Sequence, residues 1–419
     1  MSAAPVIAVA AGPQIADAGA LTAEAYLADE LVDPDEGYTS ELRDAERRAA
    51  EATLLVATVE ASDGTPVVVG TITLAPHGTS YAEIAEPGEL ELRMLAVAPE
   101  ARGRGIAEAL MRAAMRQCVV AGARRIVLST LDAMTTAQRL YGRLGFVPQP
   151  HRDWGHVEVH LRAYTWTPPE APGVLVEQAT WPPTHVEVTS GGWRVGLSGG
   201  VTRRANSAVP GRDTSAAEIT AVEALYAAAG QPSIVRVSAS DVLLEAQLEE
   251  RGYAIASDTD VLVRGLGPGT PEPARPHLQV RNATEPDAAW LTAWLGVKKA
   301  GADHAIARQV LVGAPADYLT AVVDNHVGGV IRVAYAEDWA GLSSLVVDPT
   351  LRRAGLGREL TLRALAAARK RGARRVFLQV EAHNAGAALL YAGLGFQPAD
   401  AYRYRELVRA GDGPLAGGC

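Results

Sequence analysis

One segment of this chain occurs twice at a fixed offset. Val97, Pro99, Arg102, Gly105, Leu110, Leu128, Leu140, Tyr141, Leu144, Gly145, Phe146 and Pro148 recur as Val347, Pro349, Arg352, Gly355, Leu360, Leu378, Leu390, Tyr391, Leu394, Gly395, Phe396 and Pro398, every pair 250 positions apart. The constant offset implies that no insertion or deletion separates the copies, and the run Gly122-Ala123-Arg124-Arg125 returns as Gly372-Ala373-Arg374-Arg375. Solenoid repeats have periods of roughly 20–50 residues, so this period means one domain type present twice. The repeated positions spell a strand, a glycine turn, a helix, a second strand and a Tyr-bearing helix. Such alternation implies an α/β sheet.

The chain has 419 residues. At roughly 100–200 residues per domain, two to four domains are expected. With 39 Lys+Arg against 48 Asp+Glu the net charge is −9, which argues against a general nucleic-acid surface. The only cysteines, Cys118 and Cys419, make neither a disulfide framework nor a zinc spacing. The expectation is a reduced, cytoplasmic setting. Residues 1–12 are apolar but lack a basic n-region, and Pro5 to Val9 reads as a first strand rather than a signal core. No run approaches the roughly 18 apolar residues of a membrane span, so no membrane partner is expected. His77, His151, His156, His326 and His383 show no metal-ligand spacing, and no metal is expected.

Three segments follow from the punctuation. Residues 1–166 form the first domain: helices over 17–27 and 38–49, strands over 54–59, 67–74 and 90–97, a helix over 107–120, a strand over 125–130, a helix over 135–144 and a final strand over 156–164. Thr167-Pro168-Pro169-Glu170-Ala171-Pro172-Gly173 reads as a linker. Residues 174–265 lack the glycine turn but end in their own strand (233–237), helix (241–251) and strand (258–263). There Leu248-Glu249-Glu250-Arg251-Gly252-Tyr253 looks like a worn copy of the Leu144-Gly145-Phe146 region. A second punctuated stretch, 265–276, leads into residues 277–409, which repeat the first domain: strand 278–281, helix 285–295, strands 319–323 and 328–334, and the motif half. The expected fold is a mixed central sheet flanked by helices, duplicated, with a degenerate third segment between.

Arg102-Gly103-Arg104-Gly105-Ile106-Ala107 and Arg352-Arg353-Ala354-Gly355-Leu356-Gly357 both fit Arg-x-x-Gly-x-[Gly/Ala]. Each follows a strand ended by Pro and opens a helix. Glycine permits a positive φ and close backbone approach, and successive N–H groups at a helix N-terminus favour an anion such as pyrophosphate. The flanking arginines add charge-assisted hydrogen bonds. Neither copy fits the Walker pattern or the dinucleotide fingerprint, which argues against a nicotinamide dehydrogenase.

Both copies then carry Leu-Tyr-x-x-Leu-Gly-Phe, at 140–146 and 390–396. With the strands Met94-Leu95-Ala96-Val97 and Ser344-Leu345-Val346-Val347, the turns and the run Leu378-Gln379-Val380-Glu381-Ala382-His383-Asn384, the chain resembles the GNAT superfamily of acetyl-CoA-dependent N-acetyltransferases. The resemblance covers about 1–166 and 277–409 and is strongest over 90–148 and 340–398. It implies acetyl-CoA as co-substrate. Leu95, Ala96 and Val97, and Leu345, Val346 and Val347, would pair with pantetheine. The turns Arg102 to Ala107 and Arg352 to Gly357 would hold pyrophosphate. Tyr141 and Tyr391 would protonate the leaving thiolate. A Tyr of pKa near 10 can donate to a thiolate whose acid lies near 8.5.

The attacking amine must be neutral, so a general base helps. Glu91 stands six residues before Val97, where the resemblance implies a catalytic Glu. The second copy has Gly341 there, leaving Glu337, Asp338 or Glu381 as substitutes. Asn384, seven before Tyr391, matches a cofactor-contacting Asn of the family, and Met134 replaces it before Tyr141. The first copy thus keeps the base candidate without the Asn, and the second keeps the Asn without the base. On these terms the second is the better-equipped cofactor binder. The resemblance implies an N-acyltransferase moving an acetyl group to a primary amine by direct attack, the acceptor being a small molecule or a protein. The alternative is an acyl-CoA-binding regulatory or scaffold module in one or both copies. Arg203, Arg204 and Asn206 read as ordinary loop contacts, and Trp290 and Trp294 as core.

Overall fold

The computed structural model describes residues 5–32, 37–156, 159–296 and 304–407. Cys419 and the segments 1–4 and 408–409 of the expected domains lie outside them. The chain divides into two units, Met1–Pro168 and Pro169–Cys419.

The first unit runs β1 (Val6–Val9), α1 (Pro13–Ala28), α2 (Gly37–Arg43), α3 (Ala45–Glu51), β2 (Thr53–Glu60), β3 (Pro66–Pro76), β4 (Glu89–Val97), α4 (Ile106–Val120), β5 (Arg125–Leu131), α5 (Thr135–Arg143), β6 (Val147–Pro148), β7 (Trp154–His156) and β8 (Val159–Trp166). Its sheet has the order β1-β2-β3-β4-β5-β8-β6, with β7 on β8. β3 is buried without interruption from Val68 to Ala75, the mark of a strand covered on both faces; α1 and α4 both pack against it. The core joins Ile72 and Leu74 to Leu110, Met111 and Ala114 of α4. The single helix expected over 38–49 is two. Asp44 leaves the helical conformation and its carboxylate accepts the N–H of Arg47 at 3.1 Å, the local competition that makes Asp an N-cap.

β4 runs antiparallel to β3 and parallel to β5. Its pairing with β5 begins at Glu89↔Arg125 and stops at Leu92↔Leu128, although both strands continue. Met94, at φ +55°, marks the break, and the register with β3 slips between Thr71 and Thr73. A bulge with a left-handed non-glycine residue bends a strand away from its neighbour, so the sheet opens beyond Leu92.

The second unit continues with α6 (Val174–Thr180), β9 (His185–Val188), β10 (Arg194–Leu197), β11 (Ala208–Val209), α7 (Ala216–Ala228), β12 (Ser233–Ser238), α8 (Val242–Glu250), β13 (Tyr253–Gly265), β14 (Gln279–Ala283), α9 (Ala288–Leu295), α10 (His304–Val312), β15 (Ala316–Val323), β16 (His326–Ala336), β17 (Trp339–Val347), α11 (Leu356–Lys370), β18 (Arg375–Glu381), α12 (Ala385–Ala392) and β19 (Gln397–Leu407). One sheet holds them all, in the order β14-β15-β16-β17-β18-β13-β19-β12-β11-β10-β9. β13, from the middle segment, lies beside β18 as β8 lies beside β5. β19, the last strand of the chain, lies between β13 and β12. Segments 174–265 and 277–407 therefore complete each other's sheets. Helices α6, α7 and α10 add to those expected from sequence.

The split recurs here at the same offset. β17 pairs with β18 from Trp339↔Arg375 to Leu342↔Leu378, and Ser344 takes φ +57°. Upstream the offset changes. Gly70 faces Val97 while Gly329 faces Val347, so the chain between the paired positions is nine residues longer in the first copy, the extra length falling in the loop from β3 to β4. Among the described residues no helix is long and apolar enough to cross a membrane.

Candidate active site

The two glycine turns share a backbone but not their surroundings: over the second, Arg275 Nη2 stands 3.1 Å from where a Gly355 Cβ would be and donates to the Ala354 carbonyl. Gly105 caps α4 at φ +77° and Gly355 caps α11 at φ +80°. The position two residues earlier is also left-handed in both, Gly103 at +74° and Arg353 at +64°. Arg102 Nε and Arg352 Nε each donate to the carbonyl ending the preceding strand, Val97 and Val347, at 3.4 Å. A Cβ on Gly103 or Gly105 would meet nothing within 4 Å, so the space over the first turn is open. Arg102 also grips Asp29, just past α1, through two bonds of 2.7 and 3.0 Å.

A cavity of about 720 Å³ extends from this turn. Of the first-copy residues singled out for cofactor binding, all but Arg104 line it, and Met134 and Tyr141 line it too. A second cavity of about 530 Å³ lies along the opened sheet. The two share Tyr26, Leu31, Leu95, Met134 and Tyr141. They meet at the split between β4 and β5, with the strand and the tyrosine at the junction.

Tyr141 is 6% exposed and packs against Phe146 and Tyr164 at ring distances of 6.0 and 5.9 Å. Burial pushes its pKa up to about 12, so the hydroxyl is protonated at neutral pH and available as a donor. Tyr391 is likewise buried and packs edge-on to Phe396 at 5.6 Å. Asn384 caps α12 through its side chain, accepting the N–H of Ala387 at 3.0 Å. Met134, its counterpart, stands at the same place before α5 with no side-chain cap.

Glu91 has no exposed surface. Its Oε2 accepts the backbone N–H groups of Glu83, Ile84 and Ala85 at 2.8, 2.8 and 3.0 Å, while Oε1 has no hydrogen-bond partner and lies 3.7 Å from Arg93. Desolvation raises its pKa above the ordinary carboxylate value. The three N–H donors belong to the longer loop from β3 to β4. Where the second copy has Gly341, a Cβ would stand 2.9 Å from both Thr180 Oγ1 of α6 and Phe377. Loop and space for a carboxylate are both missing there. Glu337 and Asp338 sit in the turn before β17, ahead of the paired part of the strand; Asp338 is bound by Arg375 at 2.8 Å. Glu381 ends β18 beyond the split, 3.4 Å from His383.

Four further groups carry no mark in the sequence. Glu83 lines the second cavity with its carboxylate 2.9 Å from Arg93. Arg93 lines it too and reaches the Tyr81 carbonyl at 3.3 Å. Trp154 donates to Ser129 Oγ at 2.9 Å, and both face the same space. Glu83 and Trp154 come from a loop and a short strand that no motif marks. Asn206 is spent locally: its Oδ1 accepts the N–H groups of Ser198 and Gly200 at 2.7 and 2.9 Å. Among the described residues no group of three His, Cys, Asp or Glu side chains could hold a metal ion.

The family described as Acetyltransferase (GNAT) matches residues 21–146, and the one described as "Probable histone acetyltransferase Rv0428c C-terminal" matches 176–405, more than half of the chain. The protein belongs to the GNAT superfamily. The GNAT relatives include the uncharacterized N-acetyltransferase YobR of Bacillus subtilis, 26% identical over 239 residues that make up 54% of this chain and 94% of YobR. The [ribosomal protein bS18]-alanine N-acetyltransferase of Escherichia coli K12 is 44% identical over 62 residues, 15% of this chain and 42% of that enzyme. Among solved GNAT structures, one from Kribbella flavida covers 57% of this chain and 97% of its own at 18% identity and a TM-score of 0.44. A tandem GNAT protein from the clavulanic acid biosynthesis pathway covers 97% of this chain and 99% of its own at 17% identity and a TM-score of 0.31.

Proposed function

We propose that the N-terminal copy transfers an acetyl group from acetyl-CoA to a primary amine by direct attack. The observation that carries this reading is the junction: Leu95 and Tyr141 stand in the walls of both cavities. One cavity runs to the anion-favouring turn and the other to a separate space. Two substrates entering from the two sides would meet there.

Leu95, Ala96 and Val97 offer the strand edge freed from β5 to pantetheine. The turn from Arg102 to Ala107 offers N–H groups and arginines to pyrophosphate. Bound acetyl-CoA supplies an activated thioester carbonyl and a thiolate leaving group. The amine nitrogen forms its bond to that carbonyl carbon as the carbon–sulfur bond breaks. Tyr141 gives its proton to the sulfur. Glu91 lines neither cavity, so the proton lost by nitrogen passes to it through an intervening water; its Oε1 is the oxygen left without a hydrogen-bond partner, and its raised pKa suits it as the acceptor. The backbone N–H near Leu95 polarises the carbonyl. Holding both reactants at the split supplies much of the rate.

A second reading applies to the C-terminal copy: it binds acyl-CoA through Leu345 to Val347, Arg352 to Gly357 and Asn384 without turnover. The packing of Thr180 and Phe377 against Gly341 favours it. The test is thiol release from acetyl-CoA with a panel of amines, for the full chain and for Tyr141→Phe and Tyr391→Phe. A loss of kcat of about 100-fold in Tyr141→Phe, with acetyl-CoA binding retained and Tyr391→Phe near wild type, is the expected result. Indifference to Tyr141→Phe would overturn the assignment.

A further inference from the structure

The cavity on the far side of Tyr141 carries information about the acceptor. We infer, resting on the transferase reading above, that the N-terminal copy takes a single amine on an apolar body of aromatic size rather than a polycation.

Much of the wall is aromatic and aliphatic, with Glu83, Arg93, Ser129 and Thr130 as its polar part. Tyr26, Tyr38 and Trp154 face the space together with Leu161. Its volume of about 530 Å³ lies in the range of small-molecule sites, which run roughly from 300 to 1,000 Å³. Among the described wall residues the charges cancel. Glu83 is the one carboxylate among the described wall residues, and it is held by Arg93 at 2.9 Å. A polyamine or an aminoglycoside needs a carboxylate for each ammonium it buries, since an unpaired charge in such surroundings costs several kcal/mol. The described residues of this wall offer none to spare.

An amine with one nitrogen and an apolar remainder meets the opposite conditions. Its body fills the aromatic space, and its nitrogen points to the junction at Leu95 and Tyr141. Desolvation there favours the neutral form of the amine, the form that attacks a thioester. Trp154 is held in place through its bond of 2.9 Å to Ser129, so the aromatic wall is preorganised.

The test uses the full chain and four acceptors: 2-phenylethylamine, spermidine, kanamycin and a lysine-bearing histone-tail peptide. Acetyl-CoA binding, amine binding and thiol release are measured separately. The expected result is a kcat/KM for phenylethylamine about tenfold or more above the others. Trp154→Ala should raise its KM with little change in kcat. Leu161→Trp, which fills the cavity without opening the core, should abolish phenylethylamine binding and leave acetyl-CoA binding intact. Preference for spermidine, kanamycin or the peptide, or phenylethylamine turnover that ignores both variants, would overturn the inference while leaving the transferase reading standing. Failure to bind acetyl-CoA would remove that reading, and calorimetric binding of phenylethylamine alone would still decide the character of the cavity.

Discussion

Glu91 accepts the backbone N–H of Ile84 at 2.8 Å through the same oxygen that serves the N–H groups of Glu83 and Ala85. One carboxylate thus folds the loop that carries Glu83 to the cavity wall. Its other oxygen has no hydrogen-bond partner and lies 3.7 Å from Arg93.

Replacing Glu91 with Gln separates its duty to the loop from its proposed duty as base. Gln keeps an acceptor oxygen for the loop and loses the base. The expected outcome is a fall in kcat of about 100-fold with acetyl-CoA binding unchanged. Because burial raises the Glu91 pKa, the acid limb of the wild-type pH–rate profile should lie above the ordinary carboxylate range and vanish in the variant. Stability follows the matching sign. A raised folded-state pKa gives a contribution that is full below the unfolded pKa and is lost as pH rises through the folded one. Glu91→Gln should therefore gain on the wild type in thermal melts as pH rises from the ordinary carboxylate value towards neutrality. A pH-independent difference between the two would contradict the burial argument.

Gly341→Glu restores the family residue to the C-terminal copy and should not restore activity. The added Cβ would stand 2.9 Å from Thr180 and from Phe377, and no loop is present to bind the carboxylate. Overpacking of this kind costs about 1–3 kcal/mol, read as a lowered midpoint for the second unit in calorimetric melts. A gain of turnover dependent on Tyr391 would refute the account of Gly341.

Glu177 of α6 holds Arg236 of β12 through bonds of 2.7 and 3.1 Å and also accepts from Gln379. The Arg236 guanidinium lies 3.7 Å from the centre of the Tyr402 ring. Breaking a buried pair by removing one partner costs about 3–5 kcal/mol, so Arg236→Met should lower stability by that order in denaturant titration. The double change Glu177→Leu with Arg236→Met should recover much of the loss, because no buried charge remains unpaired. Equal stability of Arg236→Met and wild type would show that the pair does not tie α6 to the sheet.

The motif half of each copy was legible because its chemistry is local. Pro99 and Pro349 end strands, Gly105 and Gly355 need positive φ, and Tyr141 and Tyr391 sit at fixed distances behind them. The left-handed residues Met94 and Ser344 were not legible, since neither residue type advertises a bulge. Nor was the nest around Glu91, which depends on a loop whose extra length is hidden by the constant offset downstream. The partnership of β13 with β18 joins strands more than a hundred positions apart, and short-range patterns carry no trace of it. Trp154 and Glu83 reach the cavity by tertiary packing alone.

On the proposed reading, both copies bind acetyl-CoA on the split strand and the glycine turn. Calorimetric titration of the full chain with acetyl-CoA tests it most directly, repeated with Gly105→Val and Gly355→Val, which strain left-handed turn positions at φ +77° and +80°. The account predicts two equivalents for the wild type and one for each variant. No binding, or a stoichiometry that neither substitution changes, would contradict it.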